Sequence, residues 1–144
     1  MNGPDDRSSA SAADFVALAR FRYGIRRYLR FSEEAIRSSG VTSGQYQLML
    51  ALMGLPGNGV ATVQEVAEQL LVRHHSAVEL IDRAQEKGLV RREPHPTDGR
   101  RVQIHITDHG RDIVGRLAAM HRDEREVLLP YLSSSSDDRR ARGV

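Results

Sequence analysis

Apolar positions recur in two rhythms along this chain, helical through most of its length and alternating over a short stretch around residue 104. From Asp14 to Arg37 the residues Phe15, Leu18, Ile25, Leu29 and Ile36 lie on one seam with steps of three and four, interrupted at Arg22 and Ser32. The spacing predicts a near-heptad helix, about three turns longer than packing on a small domain requires. Gly40 stops it. Thr42 with Gln45 forms a capping box and opens a second helix through Tyr46, Met49, Leu50, Leu52 and Met53, which the turn Pro56-Gly57-Asn58-Gly59 ends.

Thr62 with Glu65 forms a second capping box. The helix it opens places Val63, Val66, Ala67 and Leu70 on one stripe. A tight turn at 71–73 leads into another helix, from about His74 to Lys87, closed by Gly88 just past its end. Its inner stripe is Ala77, Leu80, Ile81 and Ala84, and its outer face carries His75, Ser76, Glu79, Asp82 and Arg83. Two short helices joined this way, the second with a polar outer face, make a helix-turn-helix. Strands follow at 89–92 and 102–107, the second alternating Val102, Ile104 and Ile106 with Gln103, His105 and Thr107. Between them lies a turn-rich tip from Pro94 to Arg101, and a hairpin in this position is a wing. Thr107 caps a last helix with Ile113, Val114, Leu117 and Met120 facing inward, continuing or restarting toward Tyr131. The fold class expected is mainly α with a small β-hairpin wing, a winged helix-turn-helix over residues 42–110. Residues 1–13 read as a flexible N-terminus and 133–144 as a polar tail.

The chain has 144 residues, enough for one core and too few for two independent ones. With 40% hydrophobic and 28% charged residues its composition is that of a soluble globular protein. No apolar run has the length of a membrane span, and residues 1–13 lack the basic-then-apolar order of a signal peptide. Cysteine is absent, which removes disulfides and thiolate metal sites and fits a cytoplasmic location. Net charge is only +2, so bulk charge is a weak argument for nucleic acid. The 21 basic residues are all arginine except Lys87. That bias suits phosphates and guanine edges, or it reflects genomic base composition. Arg20, Arg22, Arg26, Arg27 and Arg30 form a run with no acid between residues 15 and 32, either a solvated face or a rim for an anion.

Several segments in order resemble the MarR family of bacterial regulators. They are 62–70 (Thr62 to Leu70), Leu80-Ile81-Asp82-Arg83 with 87–92, Asp98-Gly99-Arg100, and 106–110 beginning Ile106-Thr107. The resemblance covers about residues 12–132. Three positions depart from the family pattern: Arg73 where an acidic or small polar cap is usual, Ala84 for a larger core residue, and Ile106 for leucine. What the resemblance implies is one MarR-like domain over 14–132, a homodimer held by helices 14–37 and 108–132, and double-stranded DNA as partner. Each recognition helix would enter a major groove and each wing the adjacent minor groove. It also implies release by a small aromatic or anionic effector, and no cofactor.

Candidate DNA contacts are His74, His75, Ser76 and Glu79 toward bases, with Arg73, Arg83 and Arg92 toward phosphate. Glu79 either accepts from a cytosine amine or pairs with Arg83 four residues on. Arg100 and Arg101 occupy the wing tip, where an arginine can enter a narrow minor groove, and Asp98 would brace the tip. Tyr23, Arg26 and Tyr46 could hold a phenol or carboxylate, or Tyr23 and Tyr46 are plain core residues. No nucleophile elbow, P-loop, dinucleotide fingerprint or HExxH is present, so no enzyme is indicated. A metal-responsive regulator using the histidines and a winged-helix protein–protein module are the alternatives. No metal site is assigned: adjacent His74 and His75 do not share a helix face, and the apolar tip expected of an interaction module is replaced here by arginine.

Overall fold

The computed structural model describes residues 9–133, so the expectations for residues 1–8 and 134–144 lie outside it. Eight elements follow in order: α1 (Ala12–Arg37), α2 (Ser43–Gly54), β1 (Val60–Thr62), α3 (Val63–Leu70), α4 (His74–Glu86), β2 (Val90–Pro94), β3 (Val102–Ile106) and α5 (Asp108–Ser133). They divide into two compact units, one holding the described residues up to 32 and from 122 onward, the other residues 33–121. Helices α1 and α5 contribute to both.

In the first unit α1 begins two residues before the expected start. Ser11 caps it: its hydroxyl accepts from Asp14 N at 3.2 Å, and Asp14 Oδ2 accepts from Ser11 N at 2.8 Å. Gly24 lets α5 come close, because a Cβ built there would lie 2.8 Å from Tyr131 Cβ. Around this crossing the rings of Tyr23 and Tyr131 are 5.7 Å apart, and the Arg20 guanidinium sits 5.2 Å over the Tyr131 ring. Burial pushes the Tyr28 phenol up, partly opposed by the Arg125 guanidinium. Of the predicted seam, Phe15, Leu18, Ile25 and Leu29 are exposed in the single chain, and Ile36 alone is buried.

The second unit is built around α2, which is apolar on nearly every side and is accordingly a core helix, with Leu48, Met49 and Leu52 fully buried. Its capping box forms as predicted: Gln45 N donates to Thr42 Oγ1 at 3.1 Å and Thr42 N to Gln45 Oε1 at 3.0 Å. After it, Gly59 takes φ +100 and passes so close to Ile106 that any Cβ would lie 2.8 Å from Cγ2. Gly59 N donates to Leu52 O and Ile106 N to Gly59 O, both at 2.8 Å.

This passage creates a third strand that the alternating pattern does not announce. The sheet order is β1-β3-β2, all antiparallel, with Val60 opposite His105 and Thr62 opposite Gln103. At three residues, β1 is too short to display a period. Since Thr62 closes this strand, the second capping box forms only in part. Glu65 N donates to Thr62 Oγ1 at 3.2 Å, but the Glu65 carboxylate meets the Thr62 hydroxyl instead of its backbone N–H. Ile104 and Ile106 are buried while Val102 is exposed, because it stands beyond the core at the base of the wing.

Helix α4 buries Ala77, Ile81 and Ala84 completely. Thr107 ties the turn after α4 to the start of α5: its hydroxyl lies 2.6 Å from Gly88 O and accepts from Gly110 N at 3.0 Å. Ile113, Val114 and Leu117 face inward as expected. Met120 does not; it is exposed in the single chain, beside a buried stripe that continues through His121 and Leu128. Helix α5 runs without a break to Ser133, with Pro130 inside its last turns.

Candidate nucleic-acid interface

Helix α4 starts at His74, with Arg73 in extended backbone as its N-cap and no side chain bonded to the cap. Its first N–H groups are therefore left without a side-chain acceptor, the situation in which a helix start favours an anion. His74, His75, Glu79 and Arg83 are exposed and Ser76 is half-buried. Glu79 and Arg83 form no ion pair with one another among the described residues, so both side chains stand open on the outer face.

The wing tip holds its own shape. Asp98 Oδ1 accepts from Arg100 N at 3.1 Å, and Asp98 O accepts from Arg101 N at 3.0 Å. His95 N donates to Arg101 O at 3.0 Å, and its ring Nδ1 accepts from Thr97 N at 3.2 Å and Asp98 N at 3.3 Å. A side-chain carboxylate accepting two residues on is an Asx turn, which fixes the loop without any contact to the core. Arg101 Nε lies 3.9 Å from Asp98 Oδ2, a loose exposed pair. The Arg100 side chain has no partner among the described residues.

Between wing base, α3 start and α4 start lies a cavity of about 340 Å³ lined by Thr62, Val63, Gln64, His74, Arg100, Arg101 and Val102. Beside the two valines, its lining is cationic or neutral hydrogen-bonding with no carboxylate, so its polar side suits phosphate oxygens. Of the predicted contacts, His74, Arg100 and Arg101 are brought together here. Thr62 and Gln64 were missed. They become visible once β1 is recognised, since pairing of β1 with β3 carries the start of α3 beside the wing.

Arg92 is placed differently from the other predicted phosphate contacts. Its Nη1 donates to Gln85 Oε1 at 2.8 Å, and its Nη2 is ion-paired with Asp82. Of the three predicted ligand residues, Tyr23 and Arg26 fall in the first unit and Tyr46 in the second: Tyr23 packs against Tyr131, and Tyr46 is buried and stacked on His121 with ring centroids 4.7 Å apart. Arg26 is exposed. Among the described residues no three histidines or carboxylates gather as metal ligands, and no helix is long and apolar enough to cross a membrane.

A sequence model of the MarR family matches residues 39–101. An HTH-type transcriptional regulator of Mycobacterium bovis is 32% identical over 133 residues, covering 84% of this chain and 87% of its own. Among solved structures, AbsC, a MarR family transcriptional regulator from Streptomyces coelicolor, superposes with a TM-score of 0.73 at 19% identity, covering 92% of this chain and 89% of its own. A second Streptomyces coelicolor MarR family regulator, solved in complex with DNA, has a TM-score of 0.69 at 19% identity, with 92% and 83% covered. With the winged helix-turn-helix described above, these matches place the chain in the MarR family of transcriptional regulators.

Proposed function

We propose that the protein is a sequence-specific regulator that binds a pseudo-palindromic operator as a homodimer and acts as a repressor released by a small aromatic or anionic molecule. The observation that carries the DNA contact is the carboxylate-free cavity that gathers His74, Arg100, Arg101 and Gln64 at the mouth of the recognition helix. A phosphate held there by His74, Gln64 and Arg101 leaves the outer face of α4 (His75, Ser76, Glu79) for base edges and Arg100, on the wing side of the cavity, for the minor groove. The relative solved with DNA supports the same use of the fold. Support for the dimer comes from α1, where Phe15 is 65%, Leu18 58% and Leu29 54% exposed. An apolar stripe of this length on a soluble chain marks an interaction surface, and the heptad spacing suits a second helix.

Selection of bound fragments from genomic DNA tests this directly. The expected product is a repeated pair of inverted half-sites about 34–36 Å apart, one helical turn. Fragments without any shared sequence, or with a single unpaired half-site, would contradict it. Thermal-shift titration with aromatic acids, followed by loss of the DNA complex, tests the effector.

A further inference from the structure

We infer that Arg92 is a positioning residue for DNA binding: its guanidinium, closed on Asp82 and Gln85, sets the angle between recognition helix and wing and does not contact phosphate. The inference rests on the DNA-binding reading above. Arg92 lies on β2 opposite Ile104 of the central strand. Asp82 and Gln85 stand three residues apart on α4 and so share a face. Two N–H groups of one planar fork thus meet oxygens from adjacent turns, Nη1 at 2.8 Å from Gln85 Oε1 and Nη2 on Asp82. A fork held at two points cannot swing about one of them.

The turn between helix and strand is itself held by hydrogen bonds: Gly88 N donates to Gln85 O at 2.9 Å, Leu89 N to Ala84 O at 3.0 Å, and the Thr107 hydroxyl lies 2.6 Å from Gly88 O. It passes through Gly88 with φ +70, where nothing lies within 4 Å of a built Cβ. The fork bridges this turn from outside. Asp82 and Arg92 are partly exposed, 54% and 29% at the side chain, so the pair adds little to stability. Its effect is on geometry, because α4 and the wing must reach neighbouring grooves at once. Arg100, with no local acceptor, remains free for DNA. Arg92 is already spent, and the Asp82 charge beside it opposes any approach to phosphate.

The test titrates full-length wild-type protein, Asp82→Ala, Arg92→Ala and the double variant against a duplex recovered in the genomic selection, at several salt concentrations. Each single variant is expected to bind about threefold to tenfold more weakly, with the double variant no weaker than either. The slope of affinity against salt is expected to stay unchanged throughout. Asp82→Asn, which keeps an acceptor for Arg92 and the side-chain volume, is expected to recover part of the loss, a rescue that also serves if the alanine variants unfold. Tighter binding by Asp82→Ala or Asp82→Asn, or a salt slope reduced by about one in Arg92→Ala, overturns the inference and makes Arg92 a phosphate contact. Wild-type protein that leaves every duplex unbound overturns the DNA-binding reading itself.

Discussion

Arg100 owes the conformation of its backbone to Asp98, whose carboxylate accepts its N–H at 3.1 Å. The wing tip is exposed and touches no core, so this bond and its neighbours are what order the arginine before DNA arrives. Two effects oppose each other on removing the carboxylate. Loss of a negative charge near phosphate favours binding, while loss of the Asx turn lets the tip move and adds an ordering cost on binding.

Asp98→Ala is expected to weaken DNA binding about threefold to tenfold, because the charge is exposed and screened while the turn is local and specific. The thermal midpoint should not change. Tighter binding in a mobility-shift titration would show that charge dominates.

Leu71 is the C-cap of α3 and takes φ 55 with its side chain 93% exposed. A left-handed conformation costs a branched residue roughly 1–2 kcal/mol, and glycine avoids it at some cost in unfolded-chain entropy. Leu71→Gly is expected to raise stability by about 0.5–1 kcal/mol in denaturant unfolding. A lower midpoint would mean that the exposed leucine packs against something in solution.

Gly24→Ala sets helix propensity against overpacking. Alanine gains about 1 kcal/mol in a helix interior, but its Cβ falls 2.8 Å from Tyr131 Cβ and forcing atoms into a packed contact costs about 1–3 kcal/mol. The variant is expected to be less stable, with the loss visible as a lower thermal midpoint. A rise would mean that α1 and α5 do not cross at this residue.

Glu93 has its carboxyl held below the ordinary glutamate value, first by the hydrogen bond from Arg91 Nε at 2.6 Å, which outweighs an opposing desolvation, and then by the charges of Arg91 and His105. A folded pKa below the unfolded one gives stability that is present above the unfolded value, about 4.3, and is lost as pH falls through the folded value. Glu93→Gln is therefore expected to flatten the fall of the thermal midpoint in that acid window. An acid limb as steep as wild type would remove Glu93 from the account.

Much of this molecule is legible in its sequence, for reasons that differ by element. Helices α2 and α4 announce themselves through Thr42, Gln45 and Gly88, residues whose capping chemistry is local, and through stripes such as Ala77, Ile81 and Ala84 that the core then buries. The wing is readable because Ile104 and Ile106 alternate with polar neighbours. Strand β1 is not, since three residues show no period and their pairing with β3 is set by Gly59 passing Ile106. Missing it hides the place of Thr62 and Gln64 in the cavity beside the wing. The partners of Arg92 are likewise invisible, because Asp82 meets it across a chain reversal and not at a helical spacing. Met120 misleads because a single chain's periodicity does not say which apolar residues its own core covers.

The central claim is that the wing and the recognition helix bind duplex DNA together, with Arg100 reaching it from the wing. A mobility-shift titration of wild type and Arg100→Ala across a salt series tests it most directly. The expected result is a loss of about 1–3 kcal/mol in Arg100→Ala, with wild-type affinity falling steeply as salt rises. Equal affinity of the two proteins at physiological salt, or no wild-type complex even at low salt, would contradict it.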